Sequence, residues 1–258
     1  MRGRTRTLGP KLRQEKIAEA VRRQGRVSVE QLALRFNTSH ETIRRDLTAL
    51  AELGRVLKFH GGAKRPREAE EGPFRERMTQ NAVAKRMIAE KVARLISPGE
   101  TIMIDTGSTT LMCAEALCAV GGLTVITNSA RIAAVLGARG NRAGVFLLGG
   151  RFDGDNHETV GPMAIHEIQS FHADHAVITI GALDPAVGAA DYNYDEAQIA
   201  KAMLEAADNL IVVADSSKFG RRAAFTVCPL GRIDALVSER SPTGYLRTAL
   251  AEAEVALH

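Results

Sequence analysis

The chain has 258 residues, 45% of them apolar, with no tryptophan, enough for one or two domains and a substantial core. No apolar run approaches a membrane span, the opening MRGRTRTLGPK lacks the apolar stretch of a secretory signal, and Cys113, Cys118 and Cys228 are too few and irregular for a disulfide framework or zinc site. Residues 1–67 hold 17 Lys/Arg against 6 Asp/Glu, a net +11, whereas residues 68–258 hold 17 against 24, a net −7. That asymmetry predicts an N-terminal part that meets a polyanion and a C-terminal part that does not, in a protein expected to be cytoplasmic by default.

In chain order, residues 2–11 fit either a basic arm that reaches along a groove or a solvated tail. Leu12 to Gln24 predicts a first helix, with Ile17 and Val21 facing a core and Gly25 as its stop. Arg13, Lys16, Arg22 and Arg23 on it are expected in solvent, one or two of them within reach of phosphate. Ser28, with Gln31 three residues on, caps a second helix over Val29–Phe36. Asn37 and Thr38 carry turn chemistry. Thr38 or Ser39 then caps a third helix, Thr38 in a T-x-x-E capping box with Glu41. Ile43, Leu47, Leu50 and Leu53 make one apolar stripe on it, and Glu41, Arg44, Arg45 and Thr48 cluster opposite. Gly54 ends this helix, and Arg55–Phe59 alternates towards His60-Gly61-Gly62 as a small hairpin would.

Two short helices, a tight turn and a hairpin are the layout of a winged helix-turn-helix. A helix with two arginines and short polar side chains on its outer face suits the major groove of DNA; the bland alternative is a solvated helix with an ordinary charged face. The expected DNA-facing set is Ser28, Ser39, His40, Glu41, Thr42, Arg44, Arg45, Thr48, Lys58 and His60. The strings V-S-V-E-Q-L-A (27–33), T-I-R-R-D-L (42–47), L-G-R-V (53–56) and H-G-G-A (60–63) resemble the DNA-binding domain of the DeoR family of bacterial repressors.

Pro66, the acidic cluster at 68–71, Gly72 and Pro73 read as an interdomain connection, which places the domains at 1–65 and 79–258 with a linker over 66–78. Beyond it, a helix is expected over 79–96, a strand at 101–104 and a helix after Asp105–Thr110. Strands follow at 123–127 and 145–148, with a helix from Ser129 between them. Helices near 163–171 and 196–207 then alternate with strands at 175–181 and 210–214. Short β-branched runs alternating with helices give an α/β domain with a largely parallel sheet, whose ligands sit beyond the carboxyl ends of the strands.

Four strand ends stand out. Asp105-Thr106-Gly107-Ser108-Thr109-Thr110 opens a helix and offers backbone N–H groups and a positive dipole end to phosphate; an N-cap without a ligand is the alternative. Thr127-Asn128-Ser129 is a second polar turn. At Gly149-Gly150 backbone can approach a ligand, though a simple turn explains it equally. Asp215-Ser216-Ser217-Lys218-Phe219-Gly220 places a cation at a strand end. Tyr192, Tyr194, Asp195 and Glu196 precede a helix; the two acids either accept hydroxyl groups of a polyol or merely favour a helix N-terminus. His172 and His175, with His157 and His166 nearby in sequence, lack cysteine partners at ligand spacing, so no metal and no cofactor are expected.

In this order D-x-G-S-T-T, T-N-S and D-S-S-K-F-G resemble the DeoR-family sensor domain, similar in fold to ribose-5-phosphate isomerase. The resemblance implies a repressor released by a phosphorylated sugar or polyol. The effector set is then Asp105, Thr106, Gly107, Ser108, Thr109, Thr110, Asn128, Gly149, Gly150, Gly181, Asp195, Glu196 and Lys218. The D-Y-N-Y-D-E spelling at 191–196 resembles family members that answer to glycerol 3-phosphate. Ile180 and Leu183 stand where the isomerase's D-G-A-D-E carries its aspartates, whereas Glu196 matches its catalytic glutamate. One carboxylate without its partners does not shuttle a proton between carbons efficiently, so binding without catalysis is expected. The alternatives are an isomerase-like enzyme with an appended DNA-binding domain and a nucleoid-type DNA binder with no effector. As a repressor, the chain is expected to meet double-stranded DNA, a phosphorylated effector and further copies of itself, and no membrane.

Overall fold

A computed structural model describes residues 9–52, 56–59, 61–64, 72–138 and 143–258. The chain divides into two compact units, Met1–Ala69 and Glu70–His258. In the first, α1 (Pro10–Gln24) opens on a proline whose missing N–H costs nothing there, and stops at Gly25, with φ +72°. β1 (Arg26–Ser28) runs into α2 (Val29–Phe36). Ser28 Oγ accepts the Gln31 N–H at 3.1 Å and Gln31 Oε1 accepts the Ser28 N–H at 3.0 Å, the expected capping box. Asn37, left-handed at φ 47°, closes α2.

α3 (His40–Glu52) is capped by Ser39, whose Oγ accepts the Thr42 N–H at 3.1 Å. The Thr38–Glu41 box expected from spacing is not used. Thr38 donates its N–H back to Ala33 O at 3.1 Å, finishing α2 and leaving Ser39 at the cap of the next helix. β2 (Leu57–Phe59) and β3 (Gly62–Lys64) form the antiparallel hairpin, and β1, too short for any period-2 signal, joins it in the order β1-β3-β2. A Cβ on Gly62 would meet Val27 O at 2.3 Å and the Phe59 ring at 2.7 Å, so the centre of this sheet requires glycine. Ile17, Val21, Leu32, Ile43, Leu47 and Leu50 fill the core.

Arg13, expected in solvent, is buried. Its Nε donates to Asp46 Oδ2 at 2.5 Å, and Gln14 Nε2 donates to Asp46 Oδ1 at 3.1 Å. An arginine on the α1 face turned to α3 can leave water because a carboxylate meets it there. Lys16 is exposed as expected. Residues 1–8, which hold most of the expected arm, Leu53, Gly54, Arg55, His60 and residues 65–71, together with the side chains of Arg22 and Arg23, lie outside the described residues.

The second unit opens with α4 (Phe74–Thr79), within the connecting stretch expected over 66–78; Phe74 and Arg77, three residues apart, are its buried face. Asn81, left-handed at φ 53°, separates it from α5 (Ala82–Leu95), the helix expected over 79–96, so α4 is an additional helix in the stretch expected as linker. Then follow β4 (Thr101–Ile104), α6 (Ser108–Leu117), β5 (Thr124–Thr127), α7 (Ala130–Leu136) and β6 (Gly144–Leu147). A hairpin of β7 (Arg151–Asp153) and β8 (Glu158–Val160) precedes α8 (Pro162–Ile168), β9 (Ala173–Thr179), β10 (Ala182–Asp184) and β11 (Gly188–Asp191). The chain continues through α9 (Tyr194–Glu205), β12 (Ala207–Val213), β13 (Phe225–Cys228), β14 (Ala235–Val237), α10 (Gly244–Glu252) and β15 (Ala256–Leu257).

The main sheet has the order β15-β14-β12-β9-β4-β5-β6 and every neighbouring pair is parallel. Alternate residues of each strand serve two cores. Ile102, Ile104, Val125, Val177, Ile211 and Val213 meet α5, α6 and α7, while Met103, Ile126, Ala176, Ile178, Leu210 and Val212 meet α8, α9 and α10. β10, β11 and β13 form a small antiparallel sheet, absent from the expected series. From β4 the chain adds β5 and β6 on one side, then returns to lay β9 on the other. The crevice beyond the ends of β4 and β9 is therefore the switch point where such sheets hold ligands.

Candidate functional site

In the first unit, Glu41, Arg44 and Arg45 stand exposed on α3, opposite the buried stripe of Ile43, Leu47 and Leu50. Glu41 lies 3.8 Å from Arg44 and 3.4 Å from Arg45; these are solvated pairs that cost little to part when another anion arrives. Lys58 Nζ, on β2, donates to Thr48 Oγ1 at 2.8 Å, so the wing places a further cation beside the same helix. Arg26 stacks 4.0 Å over Phe59. His40 is exposed at the start of α3 and Thr42 is half-buried. Ser28 and Ser39 are spent as helix caps, and the Ser39 hydroxyl also lies 2.9 Å from Thr42 Oγ1. They shape this surface more than they extend it.

In the second unit, Asp105, Thr106, Gly107, Ser108, Thr109 and Thr110 follow β4 into α6, and the side chains of all but the glycine are buried. Both oxygens of Asp105 accept the Thr179 N–H at 3.1 Å, which ties the end of β4 to the end of β9. A Cβ on Gly107 would lie 2.5 Å from Thr179 Cγ2, so the turn passes this tie only as glycine. The first-turn N–H groups of α6 have no preceding carbonyls to bind and point outward from the helix start.

A cation that spacing did not single out stands there. Lys85, on α5, is buried and donates to Ser108 Oγ at 2.8 Å and to Arg77 O at 2.5 Å. Burial lowers its pKa, Asp215 opposes that, and Arg77 adds to it. The signal was present: Lys85 falls on the stripe of Ile88, Ala89 and Val92, where an apolar residue would otherwise be expected. Lys218, chosen from sequence, sits half-buried in the 3-10 turn Ser216–Lys218 beyond β12. Asp215, in the same turn, accepts Asn81 Nδ2 at 2.9 Å.

A second group of polar side chains, Asn128, Glu158, Asp191 and Arg77 buried and Asn156 and Glu196 half-buried, continues the crevice. Asn156 Nδ2 donates to Glu158 Oε1 and to Glu196 Oε1, each at 3.0 Å, and Asn156 Oδ1 accepts Arg77 Nη2 at 2.6 Å. Asn128 Nδ2 donates to Glu158 Oε2 at 3.1 Å. Asp191 accepts the Gly181 N–H at 3.1 Å, and a Cβ on Gly181 would meet the Tyr192 ring at 2.7 Å. Burial raises the Glu196 pKa to about 8, helped by the Asp191 and Glu158 carboxylates and opposed by Arg77. Burial likewise raises Glu158 to about 7, and Asp105 and Asp191 above the ordinary carboxylate range. Arg77, Asn156, Glu158 and Asp191 were not singled out from sequence, because nothing local marks a residue as buried beside another from a distant strand.

Two expectations change. Asp195 leaves the crevice: it pairs with Arg151, while its N–H is held by the Asn193 cap of α9. Gly149 gives its N–H to Glu167 Oε2 at 2.6 Å, and a Cβ on Gly150 would lie 2.8 Å from Val160 O, so packing around α8 accounts for that pair. His172 Nε2 lies 3.0 Å from Asp208 Oδ1, and His175 Nε2 lies 3.4 Å from Glu100 Oε2. Ile180 and Leu183 are buried in the apolar core.

The sequence matches two family models, the DeoR-like helix-turn-helix domain over residues 13–69 and the DeoR C terminal sensor domain over residues 80–240. It is 30% identical to the HTH-type transcriptional repressor CsqR of Escherichia coli K12, over 94% of this chain and 93% of the relative. It is 34% identical to the glycerol-3-phosphate regulon repressor of Haemophilus influenzae, over 90% and 91%. Among solved structures, ribose 5-phosphate isomerase A of Methanocaldococcus jannaschii is 16% identical over 54% of this chain and 55% of that one, with a TM-score of 0.40. Matched in both its reading head and its sensor, the chain belongs to the DeoR family.

Proposed function

We propose that this protein represses a sugar or polyol catabolic operon and that a phosphorylated sugar or polyol releases it from its operator. α3 enters the major groove with Arg44 and Arg45 outward, and Lys58 follows on the wing. The effector's phosphate docks on the first turn of α6 beside Lys85, and its hydroxyl groups face Asn128, Glu158 and Glu196. The observation that carries this reading is Lys85 Nζ, buried and 2.8 Å from Ser108 Oγ at a helix N-terminus. A cation is held out of water at the place where backbone favours a dianion. Several relatives are named as repressors, the Haemophilus influenzae protein for the glycerol-3-phosphate regulon, which makes glycerol 3-phosphate the first effector to test.

The test is fluorescence anisotropy on DNA from upstream of the genes beside this one, at physiological salt. Sequence-specific binding that sugar or polyol phosphates weaken is expected. Binding that discriminates poorly between sequences and ignores every phosphate would instead indicate a nucleoid-type protein. Turnover of pentose or triose phosphates by the purified protein would contradict the reading from the other side.

A further inference from the structure

The crevice has two chemically distinct ends, and the second one has no counterpart in a plain phosphate site. We propose that Glu158 and Glu196, joined through Asn156, form a hydroxyl-selective cage that admits the neutral polyhydroxyl end of a monophosphate and rejects any effector carrying a second anionic group. This rests on the effector reading above and narrows it to a class.

The geometry runs as follows. One amide nitrogen, Asn156 Nδ2, is shared by two carboxylates at 3.0 Å each, and Arg77 holds the amide from its other side at 2.6 Å. Asn128 fixes the remaining Glu158 oxygen. Two polar atoms nearby are buried without any hydrogen-bond partner, Asn128 Oδ1 and Thr106 Oγ1, in side chains only 1% and 3% exposed. A buried polar atom left unpaired costs free energy, so both await a partner. Asn128 Oδ1 accepts only, as do ionised carboxylates, and a wall of acceptors is satisfied by donors such as alcohol O–H groups.

The charges facing this wall are consistent with that assignment. Glu196 faces Asp191, Glu158 and Arg77; Glu158 faces Asp153 and Arg77; and Asp105 faces Glu196, Asp191 and Glu158. Arg77 is the guanidinium among five carboxyl groups, and Lys85 is engaged at the other end by Ser108. A ligand carboxylate or second phosphate would add another buried negative charge and further acceptors where donors are needed. A terminal CH2OH would instead donate.

The experiment uses pairs of ligands that differ only by oxidation of a terminal CH2OH to a carboxylate: glycerol 3-phosphate with 3-phosphoglycerate, and ribitol 5-phosphate with 5-phosphoribonate. Isothermal titration of the full-length protein at pH 9, where Glu158 and Glu196 are both ionised, is expected to show the polyol phosphate of at least one pair binding ten times or more tighter than its oxidised partner. In Glu196→Gln, and in Glu158→Gln with Glu196→Gln, that ratio should shrink, because the amide adds a donor and removes a charge. Equal affinity within every pair that binds, in wild-type protein, would overturn the cage while leaving the phosphate site standing. So would an unchanged ratio in a folded Glu196→Gln variant that still binds operator DNA. If no member of any pair bound, and ribose 5-phosphate and fructose 6-phosphate did not either, the effector reading itself would fall, and the cage with it.

Discussion

Two pairs of side chains show how this protein uses charge away from water. Asp46 exists on α3 for Arg13, not for DNA: the two bond at 2.5 Å inside the first unit. Removing one partner strands the other, which typically costs about 3–5 kcal/mol. Asp46→Ala should therefore destabilise the first unit by roughly that much in urea melts followed by circular dichroism, and unchanged stability would count against a buried pair. In the second unit, Glu158 and Glu196 hold protons to about pH 7 and 8, against an ordinary value of 4.5. The folded state then binds more protons than the unfolded one between these limits, so unfolding releases protons there. Stability is fully present below about pH 4.5 and is lost as pH rises through 7 and 8. The melting temperature of the second unit should fall from pH 5.5 to 8.5, and Glu196→Gln should flatten that slope. A wild-type melting temperature that rises over this range would show that the two carboxyl groups ionise freely.

At the scale of elements, α3 and α6 do different work with their surfaces. α3 keeps a buried apolar stripe and an outer face of exposed arginines, so its substitutions should spare the fold and change binding. Arg44→Ala and Arg45→Ala should each weaken operator affinity by about 1–3 kcal/mol where the arginine reads a base, with relaxed discrimination at one position. Where it meets phosphate, the loss should be uniform across sequences and the salt dependence shallower. Mobility-shift titrations at two salt concentrations separate the two. α6 instead turns its polar first turn inward, against α5. Lys85→Met should preserve operator affinity and remove most of the effector response, read as the effector concentration needed to release DNA. A response as sensitive as wild type would move the phosphate site away from α6.

At the scale of the molecule, a single winged helix reads too few base pairs to stand out in a genome, so the protein is expected to act as a symmetric oligomer. Operator half-sites should recur at one helical turn or a multiple of it. Light scattering of free and DNA-bound protein, with footprinting of the operator, checks both, and a monomer in each state would refute the expectation. Oligomerisation also answers an energetic need. A tenfold preference of the effector for the non-binding arrangement supplies only about 1.4 kcal/mol per site, and linked sites multiply that bias.

Local order was legible in the sequence wherever a short-range rule governs it. The Ser28–Gln31 box, the Ile43–Leu47–Leu50 stripe and the β-branched strands at 101–104 and 210–214 each follow from spacing, because caps, helix periods and strand alternation act over a few residues. The D-x-G-S-T-T turn was legible for the same reason: helix starts attract anions whatever surrounds them. Only the tertiary structure set β9 beside β4, which brought Thr179 to Asp105 and made the crevice. Only it buried Arg13 against Asp46, moved the basic partner of Ser108 to Lys85, and sent Asp195 out to Arg151. The reason is physical. A charge's role depends on how far it leaves water and which opposite charge it meets there, and both are fixed by strands and helices distant in the chain.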